Sequence, residues 1–348
     1  MTDPSAARKT DSMSATWEPT ELAAAEQAVA AIYGLSGMAK RLSSERDETF
    51  LFTRDDGTRF ILKIANPAED PAALIFQDGA LLHLEVEAPA VPVPRLVPTL
   101  EAKPSETLST PEGPRIIRLL TFLDGELQYR TPASEAQSRN VGRALAELGQ
   151  GLQGYAGRAP EGKLMWDISH TLDLAAVVDH VAPERRAAVE AVLADFERSL
   201  PAIDALTRRQ IIHNDFNPHN ILQDPAEPSR VVGIIDFGDM VFAPVVNDLA
   251  VALSYHLATD NWAARIGAFL EGYQSARALE AAEIELLPLL TRARLAMSII
   301  IAEWRSARFP ENSAYIMRNH ASAWRGLQNT AELNAAGLKR LVPNLSEG

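Results

Sequence analysis

Cysteine is absent from this chain of 348 residues. Its absence excludes disulfide bonds, thiolate nucleophiles, zinc–cysteine sites and iron–sulfur clusters. Apolar runs are also short, since none approaches the roughly 18–20 residues that a membrane-spanning helix needs. The amino-terminal residues are polar and contain no apolar signal-peptide core. These absences predict a soluble protein without a membrane partner, and the cytoplasm is the simplest compartment.

Positive charge is scarce: 33 Lys and Arg residues stand against 46 Asp and Glu residues, which gives a formal net charge of −13. Such a surface repels phosphate backbones, so nucleic acid is not an expected partner. Nucleotide binding would require magnesium and local cations at the phosphates, whereas a small cationic substrate would be attracted. Hydrophobic residues make up 47% and charged residues 23% of the chain. This is ordinary globular usage and excludes disorder for most of the chain.

Composition changes along the chain and predicts three regions. Residues 1–19 are expected to form a flexible tail, 20–122 a small sheet-rich lobe, and 123–348 a larger, mainly helical lobe. In the sheet-rich lobe, Asp56-Gly57 between two apolar runs predicts a hairpin, and spaced leucines predict a helix over 71–85. Sheet first and helices after is an α+β layout with two lobes.

Two stretches of the helical lobe carry residues suited to chemistry. In the first, an apolar pair leads into His213-x-Asp215, and Asn220 follows five positions after the aspartate. In the second, a strand-like run ends in Asp236-Phe237-Gly238-Asp239, so that an apolar strand delivers a carboxylate into a glycine turn. If neither stretch had a chemical role, these would be two buried strands with turn residues at their ends.

The chemistry of phosphoryl transfer explains why the two stretches would belong together. The transferred group needs positioning and charge neutralisation rather than covalent catalysis. A carboxylate and an amide on neighbouring loops can both reach a nucleotide-bound magnesium ion, which prefers oxygen ligands. We therefore expect Asp215 to orient and deprotonate the attacking hydroxyl, and Asn220 and Asp236 to bind Mg²⁺.

The spacing of these residues resembles the catalytic loop and the metal-binding aspartate of protein kinases. With Asn214 between the histidine and the aspartate, the chain looks more like the aminoglycoside phosphotransferase family of small-molecule kinases, also called choline-kinase-like. A Ser-Glu-Arg-Asp run over 44–47 resembles the subgroup that contains hydroxylysine kinases and kinase-like regions fused to aminotransferases. The resemblance implies a bilobal protein-kinase-like fold and ATP or GTP as the co-substrate.

The resemblance also implies a nucleotide site in the first lobe. Lys63, on a predicted strand, is expected to hold the nucleotide phosphates. The family pairs this lysine with a glutamate on the following helix, where this chain has Gln77 and Asp78. This leaves three alternatives: Asp78 turns inward, Glu85 turns inward, or a neutral partner holds Lys63.

Further nucleotide and substrate contacts follow from the same resemblance. A glycine-rich phosphate loop is missing, and Ser43 and Ser44 occupy its place. Leu120 and Phe122 belong to the connection between the lobes and are expected to contribute backbone hydrogen bonds to the nucleotide base. Asp239 is a candidate for contact with an ammonium group of the substrate, and a simple turn carboxylate is the equal alternative.

The letters Gly-x-Gly-x-x-Gly do occur once, over Gly149–Gly154. A dinucleotide-binding fingerprint must follow a strand and open a helix. Here the glycines end a predicted helix, so we interpret them as helix-terminating residues.

The resemblance favours a small-molecule kinase that phosphorylates a hydroxyl group, with hydroxylysine or a related amino alcohol as the acceptor. Homoserine and aminoglycosides remain alternative acceptors. A catalytically silent, kinase-like nucleotide-binding protein is the rival from another class, and an interaction module controlled by nucleotide is a second rival.

Overall fold

The chain divides into two units, which alternate along the sequence. The computed structural model describes residues 18–44, 47–111, 113–160, 162–331, 333–342 and 345. Residues 1–17 of the predicted tail, and Glu45 and Arg46, lie outside these ranges. The first unit runs to Asp124 and also takes up Tyr155–Gly162, whereas the second comprises Gly125–Gly154 and the chain from Lys163 onward.

The described residues of the first unit form five strands and two helices. They are α1 (Leu22–Tyr33), β1 (Gly37–Leu42), β2 (Glu48–Arg54), β3 (Arg59–Ile64), α2 (Pro71–Glu87), β4 (Glu106–Thr110) and β5 (Gly113–Thr121). The strands form one antiparallel sheet in the order β1-β2-β3-β5-β4. The predicted hairpin is confirmed, since β2 pairs with β3 and Gly57 adopts a φ of 88° that glycine readily tolerates.

Alternation along the strands separates the two faces of this sheet. One face buries apolar side chains of β2, β3 and β5 against alanines and a valine of α1. The opposite face carries polar side chains from β3 and β5. Helix α2 begins after Asp70, whose carboxylate accepts the backbone N–H of Ala72 at 2.9 Å, and Pro71 occupies the first helical position.

Tyr155 fastens the returning segment Tyr155–Gly162 to α2. Its hydroxyl donates to the backbone oxygen of Phe76 at 2.6 Å, and its ring lies against the rings of Phe76 and His83. Gly79 makes room for this contact, because a Cβ there would lie 2.5 Å from the Tyr155 hydroxyl. The sequence analysis did not predict this return to the first unit.

The second unit is mainly helical. Its helices are α3 (Glu135–Gly151), α4 (Pro183–Asp204), α5 (Val245–Ser254), α6 (Trp262–Gln274), α7 (Ala281–Arg308), α8 (Ser313–Ile316), α9 (His320–Asn329) and α10 (Ala335–Leu341), with a 3₁₀ segment at Ile168–His180. Its short strands are β6 (Glu126–Leu127), β7 (Arg209–Ile212), β8 (Ile221–Gln223), β9 (Val231–Ile234) and β10 (Val241–Pro244). They form the sheets β6-β8-β9 and β10-β7.

Helix α7 is the centre of the second unit and packs against α4, α5 and α9. The chain after α7 is divided into α8, a 3₁₀ turn and α9. Asn319, with φ −100° and ψ −3°, marks the break, because asparagine competes for backbone hydrogen bonds and favours helix ends. Nowhere in the described ranges does a helix combine the length and apolarity needed to cross a membrane.

The Gly149–Gly154 stretch lies at the end of α3 and does not follow a strand. Gly151 is the last residue of that helix, and Gly154 has a φ of 83°. Its setting is therefore that of a helix end, not of a dinucleotide-binding turn.

Gly272 lets α6 approach α3 closely, and we expect Gly272→Ala to destabilise the second unit. A Cβ at this position would lie 1.8 Å from the backbone oxygen of Arg139. Overpacking of this kind costs about 1–3 kcal/mol, which urea-induced unfolding would measure. Gly267→Ala on the same helix is the matched control, because its Cβ would meet nothing closer than 3.4 Å. Equal stability of the two variants would contradict the close approach.

Candidate active site

Asp248 supports the first candidate stretch, which forms the loop between β7 and β8. Its buried carboxylate, in the first turn of α5, accepts the backbone N–H of His213 at 3.0 Å and that of Asn214 at 2.7 Å. Asn214 has a φ of 62°, in the left-handed region that asparagine tolerates better than most residues. Burial raises the pKa of Asp248, and the facing His213 and the two backbone N–H groups oppose that rise. The loop therefore begins in a fixed, strained conformation.

The carboxylate of Asp215 is held from both sides by amide groups of its own loop. Asn217 Nδ2 donates to Asp215 Oδ1 at 2.8 Å, and Asn220 Nδ2 donates to Oδ2 at 2.7 Å. Arg294 Nη2, from α7, lies 3.7 Å from Oδ1. The side chain remains partly exposed, so the carboxylate is oriented and still accessible.

The second candidate stretch is hydrogen-bonded directly to the first. Ile235, just before Asp236, donates its N–H to the backbone oxygen of Asn220 at 2.9 Å. The Nε2 atom of His213 lies 3.1 Å from the backbone oxygen of Ile235. Asn214 Nδ2 donates to the backbone oxygen of Asp239 at 3.1 Å. The structure thus brings together the two stretches that the sequence analysis combined, and His213 acts as a support of the loop.

Electrostatics show that the carboxylates share one environment. Burial raises the pKa of Asp215, the negative charges of Asp239 and Asp236 raise it further, and Arg294 opposes the rise. Carboxylates that repel one another in this way create a place where a cation is favoured. This arrangement suits a divalent ion, an ammonium group, or both.

Asn220 and Asp236 fit the role of magnesium ligands by the chemistry of their donor atoms. Asn220 Nδ2 donates to the backbone oxygen and to Oδ2 of Asp215, which leaves its amide oxygen as the atom able to bind a cation. Asp236 is exposed, with a φ of 65° that turns it out of the strand direction. Among the residues that the structure describes, no three His, Asp or Glu side chains form a metal-binding group.

The sequence analysis gave no role to Asn217, Arg294 or Tyr255. Asn217 lay within the quoted loop, and its position two residues after Asp215 was the available signal. Arg294 is 2% exposed, donates to the backbone oxygen of Trp166 and stacks its guanidinium 5.0 Å from that ring centre. Burial raises the pKa of the Tyr255 hydroxyl, and Arg294 opposes that rise. Nothing local in the sequence distinguishes Arg294 from a surface arginine of a long helix.

In the first unit, Lys63 lies half-buried on β3, directly opposite Arg118 on β5. The acid of the following helix binds a cation other than Lys63, which the sequence did not predict. Asp78 does turn inward, but it binds Arg118, with Nη1 2.9 Å from Oδ1. Gln77 also accepts from Arg118, at 3.2 Å, and Glu85 is exposed.

The remaining predicted nucleotide contacts also belong to the first unit. Ser43 and Ser44 are exposed just after β1. Leu120 is buried within β5. The N–H of Phe122 donates to the backbone oxygen of Arg59 at 3.3 Å, and the Arg59 guanidinium lies 4.3 Å from the centre of the Phe122 ring. The predicted backbone hydrogen bond between Phe122 and the base is therefore limited to the carbonyl oxygen of Phe122.

The model of the phosphotransferase enzyme family known as APH matches residues 39–284, more than half of the chain. The chain belongs to this family. The family predicted from the spacing of Asp215, Asn220 and Asp236 is thereby confirmed. This APH-family member is a phosphotransferase of the small-molecule kinase class.

Curated relatives of this APH-family chain include hydroxylysine kinases and homoserine kinases. A hydroxylysine kinase of Mus musculus is 26% identical over 309 residues, which is 83% of this chain and 81% of that protein. The hydroxylysine kinase of Xenopus laevis is 25% identical and covers 91% of both chains. A homoserine kinase of Agrobacterium fabrum is 30% identical over 224 residues, covering 62% of this chain and 63% of that protein.

Solved structures of similar fold confirm the predicted architecture. A microcompartment-associated aminopropanol kinase has a TM-score of 0.67 at 21% identity and covers 88% of this chain and 93% of its own. An amicoumacin kinase in complex with AMP-PNP, Ca²⁺ and Ami has a TM-score of 0.64 at 16% identity, covering 85% of this chain and 91% of its own. The fold is therefore the bilobal, kinase-like α+β fold that the sequence analysis predicted.

The support that Asp248 gives to the loop predicts the effect of removing it. Asp248→Ala leaves two buried N–H groups without an acceptor, which costs about 2–5 kcal/mol. Thermal unfolding should therefore shift to clearly lower temperature. Asp260→Ala, which removes a 94% exposed carboxylate of the same unit, is the control and should leave unfolding nearly unchanged. Similar shifts for both variants would show that Asp248 does not support the loop.

Proposed function

We propose that this phosphotransferase moves the γ-phosphate of ATP or GTP to a hydroxyl group of hydroxylysine or a related amino alcohol. The observation that carries the proposal is the carboxylate of Asp215, held by two amide donors and still accessible, beside a second stretch that contributes Asp236 and Asp239. The hydroxylysine kinases among its relatives support this acceptor class. The net charge of −13 suits an acceptor that carries an ammonium group.

The chemistry assigns one task to each side chain. Asp215 accepts the proton of the acceptor hydroxyl while the oxygen of that hydroxyl forms a bond to the γ-phosphorus. The bond between the γ-phosphorus and the bridging oxygen breaks, and nucleoside diphosphate leaves. The side chains of Asn220 and Asp236 would bind Mg²⁺, which, when bound, neutralises charge on the phosphates. Lys63 would bind the phosphates in the first unit. Asp239, whose charge acts on Asp215, would bind the ammonium group of the acceptor.

Homoserine is a second candidate acceptor, and a specific observation favours it. The homoserine kinase of Agrobacterium fabrum is 30% identical over 224 residues, compared with 26% over 309 residues for the hydroxylysine kinase of Mus musculus. Both acceptors present an amino group and a hydroxyl group, so both suit the same carboxylate cluster. A panel that contains both acceptors, run with ATP and with GTP, separates them.

Diphosphate release should be magnesium-dependent and should rise when the correct acceptor is added. Asp215→Asn removes the proton acceptor but keeps the shape of the side chain, so turnover should fall about 10²–10⁴-fold with nucleotide affinity nearly unchanged. Asp224→Asn, on a turn after β8, is the control and should keep its turnover. Equal diphosphate release from wild type and Asp215→Asn across the panel would refute the catalytic role and favour a silent nucleotide-binding protein.

The metal and acceptor roles predict opposite behaviour of two neighbouring carboxylates. In Asp236→Ala, the magnesium-dependent thermal stabilisation by nucleotide should vanish, because the metal loses its carboxylate ligand. In Asp239→Asn, that stabilisation should persist and the KM for the acceptor should rise. Persistence of the stabilisation in Asp236→Ala would contradict the metal assignment, and an unchanged acceptor KM in Asp239→Asn would contradict the ammonium contact.

A further inference from the structure

Two cations face each other across strands β3 and β5. Lys63 and Arg118 are direct partners in the antiparallel register, so their side chains leave the sheet on the same face. Like charges in this position repel each other unless an anion lies between or beside them. The face that carries them therefore needs negative charge, from the protein or from a ligand.

Arg118 receives that charge from the protein. Its side chain is 4% exposed, and Nη1 lies 2.9 Å from Asp78 Oδ1 on α2. Nη2 donates to Gln77 Oε1 at 3.2 Å and lies 3.8 Å from Asp47 Oδ2. Asp47 is the last residue of the Ser-Glu-Arg-Asp stretch over 44–47. One guanidinium thus connects β5, α2 and the end of that stretch.

No described residue supplies such a negative charge to Lys63. Within the described part of the chain, its ammonium makes no hydrogen bond or ion pair, although Asp78 belongs to the helix that follows its strand. Asp78 is 3% exposed, and burial raises its pKa while Arg118 opposes that rise. A carboxylate so buried binds a cation strongly, and the cation it binds here is Arg118.

We propose that Arg118 is a positioning residue for the nucleotide phosphates, because it occupies Asp78 and so leaves the Lys63 ammonium free to bind phosphate. The inference rests on the proposed function, and it deepens it. In this chain a strand cation still pairs with an acid of α2, but that cation is Arg118 on β5 and not Lys63 on β3. Phosphate does not have to compete with Asp78 for Lys63.

The decisive variant is Arg118→Met. Without the guanidinium, the buried Asp78 should capture Lys63, and phosphate must displace it. If nine molecules in ten are captured, the dissociation constant for a non-hydrolysable ATP analogue with Mg²⁺ rises about tenfold. Equilibrium titration measures this without turnover. The second variant, Arg118→Met with Asp78→Asn, removes the competing carboxylate as well, and affinity should return to within about threefold of the wild type.

Arg115→Met is the matched control. Arg115 lies on the same strand, is 1% exposed, and binds the buried Glu48 at 2.8 Å. An odd number of positions separates it from Arg118, so its side chain points to the opposite face of the sheet. It should lower thermal stability as Arg118→Met does, but leave the nucleotide dissociation constant within about threefold.

The outcomes separate this inference from the proposed function. Failure of the wild type to bind the analogue would refute the proposed function itself. Unchanged affinity in folded Arg118→Met, or weakening in Arg115→Met that matches it, would overturn only the role of Arg118. If Arg118→Met does not fold, the double variant decides: a tenfold weakening there would show that the guanidinium itself serves the nucleotide, against the proposal.

Discussion

Asn220 joins the two stretches on which the proposed chemistry depends. Its side-chain nitrogen holds the carboxylate of Asp215, and its backbone oxygen accepts the N–H of Ile235, next to Asp236. One residue therefore fixes the orientation of one carboxylate and the position of the strand that delivers the other. The amide oxygen that remains is the group with which it could meet a metal ion. Replacement by aspartate would lose the donor and add repulsion, so the amide suits this position for electrostatic as well as geometric reasons.

The sequence predicted this part of the protein well because its information is local. Asp215 and Asn220 lie on one loop, and apolar runs on both sides predict strands that bury the ends of that loop. Asp236 follows another apolar run, so its place at a strand end could also be predicted. The antiparallel sheet of the first unit and its Asp-Gly hairpin were predictable for the same reason: alternation and turn chemistry act over a few residues.

Residues whose role depends on a distant partner were not predictable. Arg118 within a strand and Arg294 within a helix both look like solvent-facing cations, because arginine is mostly exposed. Each is buried only because an acid or a carbonyl group from another element meets it: Asp78 for Arg118, and the backbone oxygen of Trp166 for Arg294. The sequence analysis left the partner of Lys63 open between Asp78, Glu85 and a neutral group, because the order of elements does not reveal the register that sets Arg118 beside that lysine.

The contact of Tyr155 with α2 has a consequence for how the protein can be divided. Residues up to Asp124 do not form the whole of the first unit. The Tyr155 hydroxyl, which donates to the Phe76 carbonyl, follows α3 in the sequence, although α3 belongs to the second unit. A fragment that ends at Asp124 would expose the α2 surface around Gly79 to water. Independent expression of the first unit thus calls for a rejoined chain, in which an artificial linker replaces 125–154 and Tyr155 is kept.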